Sequence, residues 1–489
     1  MRPLTLILVF GGMVALLMFG VLRRHRVEHS EPYFFNRAIV APGLYRRLWP
    51  KELPDEVEKE HQAVSDRVLL IRMPAIVDHA DFSNQQGSVA HQPWNFADVI
   101  QRAFKIGGAP HPAAQSLADN LRAALSNATY FPGAVNHNFA RAWADADPLF
   151  SLAKAPVRLL AIINRIDLAR TQDIYANCPA DKPFGGAELR FIYSARTSTD
   201  DEHYLSLIVE FILPCKTAAE LQSIGNEWWP LKDMDPSSPK YRATLEGILD
   251  RRTIESGQVR LRVNGKATNS WNTREFGFTA SGISPQDLAR QYSAEVQLGV
   301  CQDSSQLLGK YVHANLPGVN DSNYTYGSGD PLATKTATIA DPDESFHAVL
   351  TLGENLTDSS NQTLSGKAAD DARYSLSLNA CNACHGPETG VIFHQVSQRQ
   401  PTRPSDLSGF LTGATDGAPS GSTGLLTAWT PTNISQLSNC AAFAKPQPRH
   451  FNDLLRRHLY LYYLVTPSRR RRNDDLRDLL APFTANQVE

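Results

Sequence analysis

Two cysteines three positions apart with a histidine directly after them, Cys381-Asn382-Ala383-Cys384-His385, set the tightest demand on what this chain can become. The thiols can add across the vinyl groups of a porphyrin and tether it covalently. The adjacent imidazole can then reach the iron as its proximal ligand. Gly386 keeps bulk away from the ring edge. Against 6 Cys and 14 His in 489 residues, chance alone yields this pattern in roughly 0.2% of such chains. The motif predicts one covalent c-type haem held through Cys381 and Cys384, with His385 on the iron. Three other uses of the same residues stay open. The cysteine pair can close a small disulfide loop, act as a redox pair, or join His385 and His394 in a zinc set. The compartment separates these uses, because haem is attached outside the cytoplasm.

The amino terminus bears on that compartment. Residues 4–22 contain no charge and no proline, and are mostly Leu, Ile, Val, Phe, Met, Ala and Gly. As a helix this stretch is about 28 Å long, close to a bilayer's hydrocarbon thickness. No small-x-small cleavage site follows, so an uncleaved membrane anchor over 1–22 is expected. Its flanks point the other way. Arg2 precedes it and Arg23, Arg24 and Arg26 follow it, which by the positive-inside rule leaves the bulk of the chain in the cytoplasm. The haem motif requires the opposite, and the expectation follows the motif: bulk in the periplasm or outside the cell.

A chain of this length has room for two or three domains. Its net charge of −2 gives no global argument for nucleic acid. The other four cysteines, Cys178, Cys215, Cys301 and Cys440, allow three pairings. Cys178 with Cys215 is the local choice, with Cys301–Cys440 the remainder, and buried free thiols are an equal alternative.

Patterning divides the chain. Residues 23–66 read as a charged, proline-containing linker. Residues 67–300 read as an α/β domain, opened by a strand near Val68–Val77. Helical spacing marks 113–126 around Leu117, Leu121 and Leu125. Val157–Asn164 is a continuous apolar run suited to a central buried strand. Glu188–Tyr193 and Tyr204–Leu213 are further strands, and Ala218–Trp228 and Tyr241–Arg251 are helices. Gln258–Val263 is a strand ending in an Asn264-Gly265 turn, with Trp271–Thr279 as its hairpin partner. Ile283-Ser-Pro-Gln-Asp287 reads as a helix start. A connecting region, 301–365, is rich in Gly, Asn, Asp and Ser over 314–345. Residues 366–466 read as a mainly helical and loop-rich cytochrome c-like segment, with a helix over 451–465, and 467–489 as a polar tail. The expected class is α+β.

The iron's sixth position decides between carrying electrons and acting on a small molecule. His394, nine residues beyond His385, is the first candidate, with about 30 Å of extended chain to loop round the ring. His458 is the second, on the apolar stripe Phe451, Leu454, Leu455, His458 and Leu459, where a core histidine is the commoner outcome. Beyond the anchor and the initiator only Met73 and Met234 remain, which disfavours methionine ligation. Arg165, Asp167, Glu188, Arg190 and Glu210 lie at or near strand ends and read as a buried ion-pair cluster, with a functional site as the alternative. Arg469–Arg472 can meet anionic lipid or an acidic partner, with a solvated tail the commoner outcome. No phosphate loop, dinucleotide fingerprint, nucleophile elbow or His-Glu-x-x-His is present, and only one haem motif.

Taken with Glu388-Thr-Gly, Phe393-His394, Arg399, Leu407-Ser-Gly-Phe-Leu-Thr-Gly413, Phe451-Asn-Asp-Leu and Arg456-Arg457, the motif resembles a group of large secreted or lipid-anchored bacterial proteins with a single Cys-x-x-Cys-His. Leu160–Leu168 and Glu188–Tyr193 fit the same group. The resemblance covers roughly 156–465. It implies an extracytoplasmic location and no particular activity. The chain departs from it in lacking a lipobox cysteine. The resulting expectation is a membrane-anchored c-type cytochrome that passes electrons to a redox partner protein. A haem oxidoreductase or peroxidase acting on a small substrate is one alternative, and a non-enzymatic binding protein with a disulfide or zinc site is another.

Overall fold

The computed structural model describes residues 55–78, 94–108, 114–125, 143–144, 151–168, 187–195, 205–213, 218–267, 270–280, 282–286, 355–357, 363–365, 394–399, 402–413, 427–429 and 449–466. Among these, no helix is long and apolar enough to cross a membrane. The expected anchor at 4–22 lies outside them.

The first described helix, α1 (Asp55–Val64), opens on Asp55, Glu56 and Glu58, whose charges suit the positive end of a helix. It buries Val57, His61 and Val64, so the expected linker ends in a packed helix. A five-residue π-helical turn, Ser65–Leu69, leads into β1, which has only two residues, Leu70 and Ile71. Pro74 then starts the short helix α2 (Pro74–Val77). The single expected strand over 68–77 is therefore three small elements. Helix α3 (Phe96–Ile106) is capped by Asn95, whose side chain accepts from the Ala97 N–H at 2.8 Å. Helix α4 (Ala114–Leu125) lies where its apolar spacing predicts.

The core is one seven-stranded sheet in which every neighbouring pair is antiparallel and the strands follow in chain order. After β1 come β2 (Val157–Arg165), β3 (Ala187–Ala195) and β4 (Leu205–Leu213). Helices α5 (Ala218–Trp228) and α6 (Pro239–Glu255) intervene before β5 (Gln258–Ala267), β6 (Ser270–Thr279) and β7 (Gly282–Gln286). The mixed α/β domain is thus corrected to an antiparallel meander. The continuous apolar run in β2 suggests the two-sided burial of a parallel strand. Here β2 is buried on both faces without any parallel partner. Strand β5 runs through Asn264-Gly265 to Ala267, and the expected helix start at 283–287 is the edge strand β7. Pro285, which lacks an N–H, is exposed on that edge.

One face of the sheet is apolar and carries α3. The Tyr193 hydroxyl donates to the Trp94 carbonyl at 2.9 Å, and the Phe96 and Tyr193 rings meet edge to face at 5.1 Å. Phe104 meets Phe278 in the same way at 5.0 Å. A Cβ on Gly107, at the end of α3, would lie 2.6 Å from the Phe278 carbonyl oxygen, so glycine is what permits this approach.

Among the described residues, the segment 366–466 shows no separate cytochrome c-like helical unit. Just upstream of it β8 (Asn355–Thr357) pairs with β9 (Thr363–Ser365), and its own described parts begin with the bridge between Val396 and Leu407 and with α7 (Gly409–Thr412). The ladder of β10 (Thr427–Trp429) with β11 (Arg449–Phe451) and the helix α8 (Asp453–Val465) complete them. Val396, Phe410, Leu411, Leu454, Tyr460, Leu461 and Leu464 all belong to the apolar core that the sheet builds. Asn452 caps α8, its side chain accepting from the Leu455 N–H at 2.9 Å. Helix α8 packs on α5 so closely that a Cβ on Gly225 would meet Leu464 and Val465 at 3.1 Å.

Candidate functional site

Cys381, Cys384 and His385 lie outside the described residues, as do Cys178, Cys215, Cys301 and Cys440. His394 is within them. It is half-buried, and its Nε2 is shielded from solvent. The residues after it are fixed to the sheet. Val396 bridges to Leu407. Arg399 donates to both carboxylate oxygens of Asp78 at 2.6 Å. The same guanidinium donates to the Leu159 carbonyl at 3.0 Å, beside the irregularity in β2 between Leu159 and Ala161. Arg72 and Arg158 complete the clamp, donating to the Ser405 and Arg399 carbonyls at 2.6 and 3.2 Å. Only an arginine fork reaches a carboxylate and backbone carbonyls together in this way.

The other face of the sheet is buried and ionic. Strand register sets opposite charges directly across from one another: Arg165 against Glu188, Arg190 against Glu210, Glu210 against Arg260, and Arg262 against Glu275. Glu188 lies 2.6 Å from Arg190, and Glu210 lies 2.8 Å from Arg262 and 3.4 Å from Arg190. Glu275 closes the row, 3.3 Å from Arg260 and 3.1 Å from Arg262. At the end of β2 the row continues into α8. Asp167 accepts from Arg165 at 3.0 Å and from Arg456 at 2.6 Å, and Asp453 holds Arg456 and Arg457 at 2.7 Å.

Four carboxylates of this arrangement are held in their charged form at neutral pH. Burial raises the Glu188 carboxyl, but Arg190 and Arg260 outweigh it and bring it down to about 2. Burial likewise raises Asp167, and Arg165, Arg456 and Arg457 outweigh it and hold it far below the usual carboxylate range. Glu275, under Arg260 and Arg262, and Asp453, under Arg456 and Arg457, are also lowered against their burial. A general acid or base needs a pKa near the working pH. These four carboxylates sit well away from it.

A second buried polar group sits between α1 and α8. His61 and His458 stack with ring centroids 5.7 Å apart and planes 8° from parallel. Burial lowers His61 to about 4. Burial, with His61 and Lys232 adding to it, lowers His458 to about 3.

No protein-family model, no curated protein and no solved structure matches this chain.

The structure brings together Arg165, Asp167, Glu188, Arg190 and Glu210, as their sequence positions suggest. It does not bring His394 and His458 to one site among the described residues. Arg260, Arg262, Glu275, Asp453, Arg456 and Arg457 were not foreseen in the ionic row. Their signals were present. Arg260 and Arg262 alternate with Val259, Leu261 and Val263, and Arg456 and Arg457 follow Asp453 at helical spacing. Among the described residues no group of three or more His, Cys, Asp or Glu could hold a metal ion. For haem the donor set itself is the test, and it fits: two thiols for the tether and an adjacent imidazole for the iron.

Proposed function

We propose that the protein is an extracytoplasmic c-type cytochrome carrying one covalent haem, and that it passes electrons to a redox partner protein. The observation that carries this reading is the sequence Cys381-x-x-Cys384-His385. Cys381 and Cys384 would hold the macrocycle and His385 would bind the iron. When bound, the haem supplies a one-electron iron couple. The chain is exported, and the apolar stretch 4–22 takes it to the membrane.

Two features of the folded chain support a carrier. His394, the first candidate for the sixth position, begins a segment whose Arg399 is tied to Asp78 and β2. A ligand on a tethered segment needs less ordering on binding than one on a free loop. In addition, the described carboxylates with a resolved shift in the ionic row are held away from the range used for acid–base chemistry.

Haem staining of a denaturing gel tests the proposal, using full-length protein made together with the cytochrome-maturation machinery. A stained band at the chain's mass, lost in Cys381→Ser and in Cys384→Ser, is expected. An unstained band ends the proposal and leaves the disulfide or zinc uses of the pair. A low-spin spectrum unchanged by cyanide is expected of a carrier. A spectrum that cyanide shifts, with turnover of peroxide, would replace the carrier with a haem oxidoreductase.

A further inference from the structure

Buried imidazoles in proteins ordinarily have hydrogen-bond partners. At the junction of α1 and α8 they have almost none. Among the described residues, neither ring nitrogen of the fully buried His458 has a partner, nor has Nε2 of His61. His61 Nδ1 lies 3.3 Å from Ser65 Oγ. The pair is closed in by Trp229, whose ring is 6.1 Å from His458 and 6.3 Å from Tyr462. Val57, Leu455, Leu459 and Tyr462 complete an apolar cluster of their own around the junction.

Among the described residues, the charges around this pair offer no ready counter-ion. Lys232, over the Trp229 ring at 5.3 Å, is itself a cation, and it is engaged by Glu60 and Asp233 at 3.0 and 2.9 Å. In the π-helical turn, Asp66 is shared between Gln62 and Arg72, and Arg67 donates to the Lys232 and Met234 carbonyls. On the side of α5, Glu227 holds Arg251 and Arg252. At the start of α8 and in the turn after β2, Asp453 and Asp167 are taken by Arg456, Arg457 and Arg165. Asp55 and Glu58 of α1 face solvent.

We infer that the stacked His61–His458 pair is an acid-sensitive clasp: with both rings neutral it holds α1 against α8, and a proton on either ring drives α1 off. The proton would sit in an apolar site beside Lys232 with no acceptor turned toward it, which is costly. The direction of the pH effect follows from linkage. A released α1 would let both rings titrate near the ordinary 6.5, whereas in place they are lowered to about 4 and about 3. The released state therefore binds more protons below 6.5. The clasp is fully closed above that pH and loosens as pH falls toward 4 and then 3. With two protons linked, the opening constant rises by up to about a hundredfold per pH unit in the middle of that window. The carboxylates of the sheet release their hold only at lower pH, since Glu188 is lowered to about 2. A compartment that acidifies would thus free α1 while leaving the sheet intact.

Amide deuterium exchange followed by mass spectrometry on the full-length chain tests this, after correction for the intrinsic pH dependence of exchange. In the wild type, protection over 55–64 should fall steeply between pH 6.5 and 4.5, while 187–195 stays protected. In the double variant His61→Phe with His458→Phe, protection over 55–64 should be flat across the same range. A loss as steep as the wild type's in that variant overturns the proposal. Should the variant not fold, exchange at the imidazole C2 positions of the wild type serves instead. Apparent pKa values for His61 and His458 well below 6.5 support the clasp, and ordinary titration of either ring near 6.5 overturns it.

Discussion

The two faces of the central sheet are both buried, yet they are held by opposite means. On one, Phe191, Tyr193, Phe211, Leu261, Phe276 and Phe278 form an apolar surface under α3. On the other, arginines and carboxylates face each other across five strands. Apolar contact is non-directional and tolerates any arrangement that fills the volume. The ionic face tolerates one register, because a slip of one residue would turn each charge on the slipped strand to the apolar side. The difference teaches that the apolar face supplies most of the driving force, while the ionic face selects which pairing of strands survives. Buried charges contribute little net stability, but an uncompensated one is expensive.

The largest break in this comparison should come from Glu210, which is fully buried between Arg190 and Arg262. Glu210→Ala leaves Arg190 with Glu188 alone and Arg262 with Glu275 alone, so the buried row carries one positive charge in excess, and about 4 kcal/mol should be lost in urea-melt stability. Replacing Glu210 and Arg262 together by Leu and Met should cost clearly less than Glu210→Ala alone. On the apolar face, Leu261→Ala leaves a cavity that the neighbours can partly close, and about 3 kcal/mol is expected. If the pair replacement proves the worst of the three, the idea of charges as a register device is wrong.

How much of this contrast was legible beforehand depends on range along the chain. Strands β2 to β6 and helices α4, α5, α6 and α8 announce themselves through local periodicity. Arg165, Asp167, Glu188, Arg190 and Glu210 also stood out as a cluster. Their partners Arg260, Arg262 and Glu275 require the strand register, and Arg456 requires a contact with Asp167 across 289 positions, which no local pattern encodes. Strand β7 was misread because Ser284-Pro285 resembles a helix start, whereas on an edge strand the missing N–H does no harm. His61 carried no signal, since it sits where charge and prolines suggested a linker. The haem residues rest on sequence alone.

Acid should separate the ionic face from the α1–α8 junction. A carboxylate whose folded pKa is lowered contributes stability that is present above its unfolded value and lost as pH falls through its folded one. For Glu188 that window runs from about 4.5 down to about 2. Amide exchange over 187–195 and 205–213 should therefore show the sheet's packing unchanged from pH 7 to about 5, with the loss beginning below about 4.5. A transition of the sheet near pH 6 would mean that its carboxylates are not held by arginines in the way the geometry implies. Between these cases lies Arg399. Arg399→Lys keeps the charge but loses the fork to Asp78 and Leu159, and about 2 kcal/mol is expected at neutral pH.

The smallest effect should come from the same residue types placed in water. Arg251 lies 3.3 Å from Glu227 on the outside of α6, with half of its side chain exposed. Chemically this pair matches Arg262 with Glu210, so burial is the one variable that differs. Solvent screens the attraction, holding two long side chains together costs rotamer entropy, and Glu227 keeps Arg252 at 2.5 Å when Arg251 is gone. Arg251→Ala should then change stability by no more than about 0.5 kcal/mol. Added salt should shrink even that difference. A loss above about 1 kcal/mol would show that an arginine–glutamate pair matters here wherever it sits. The cost of breaking Glu210 could then no longer be attributed to the exclusion of water from the ionic face.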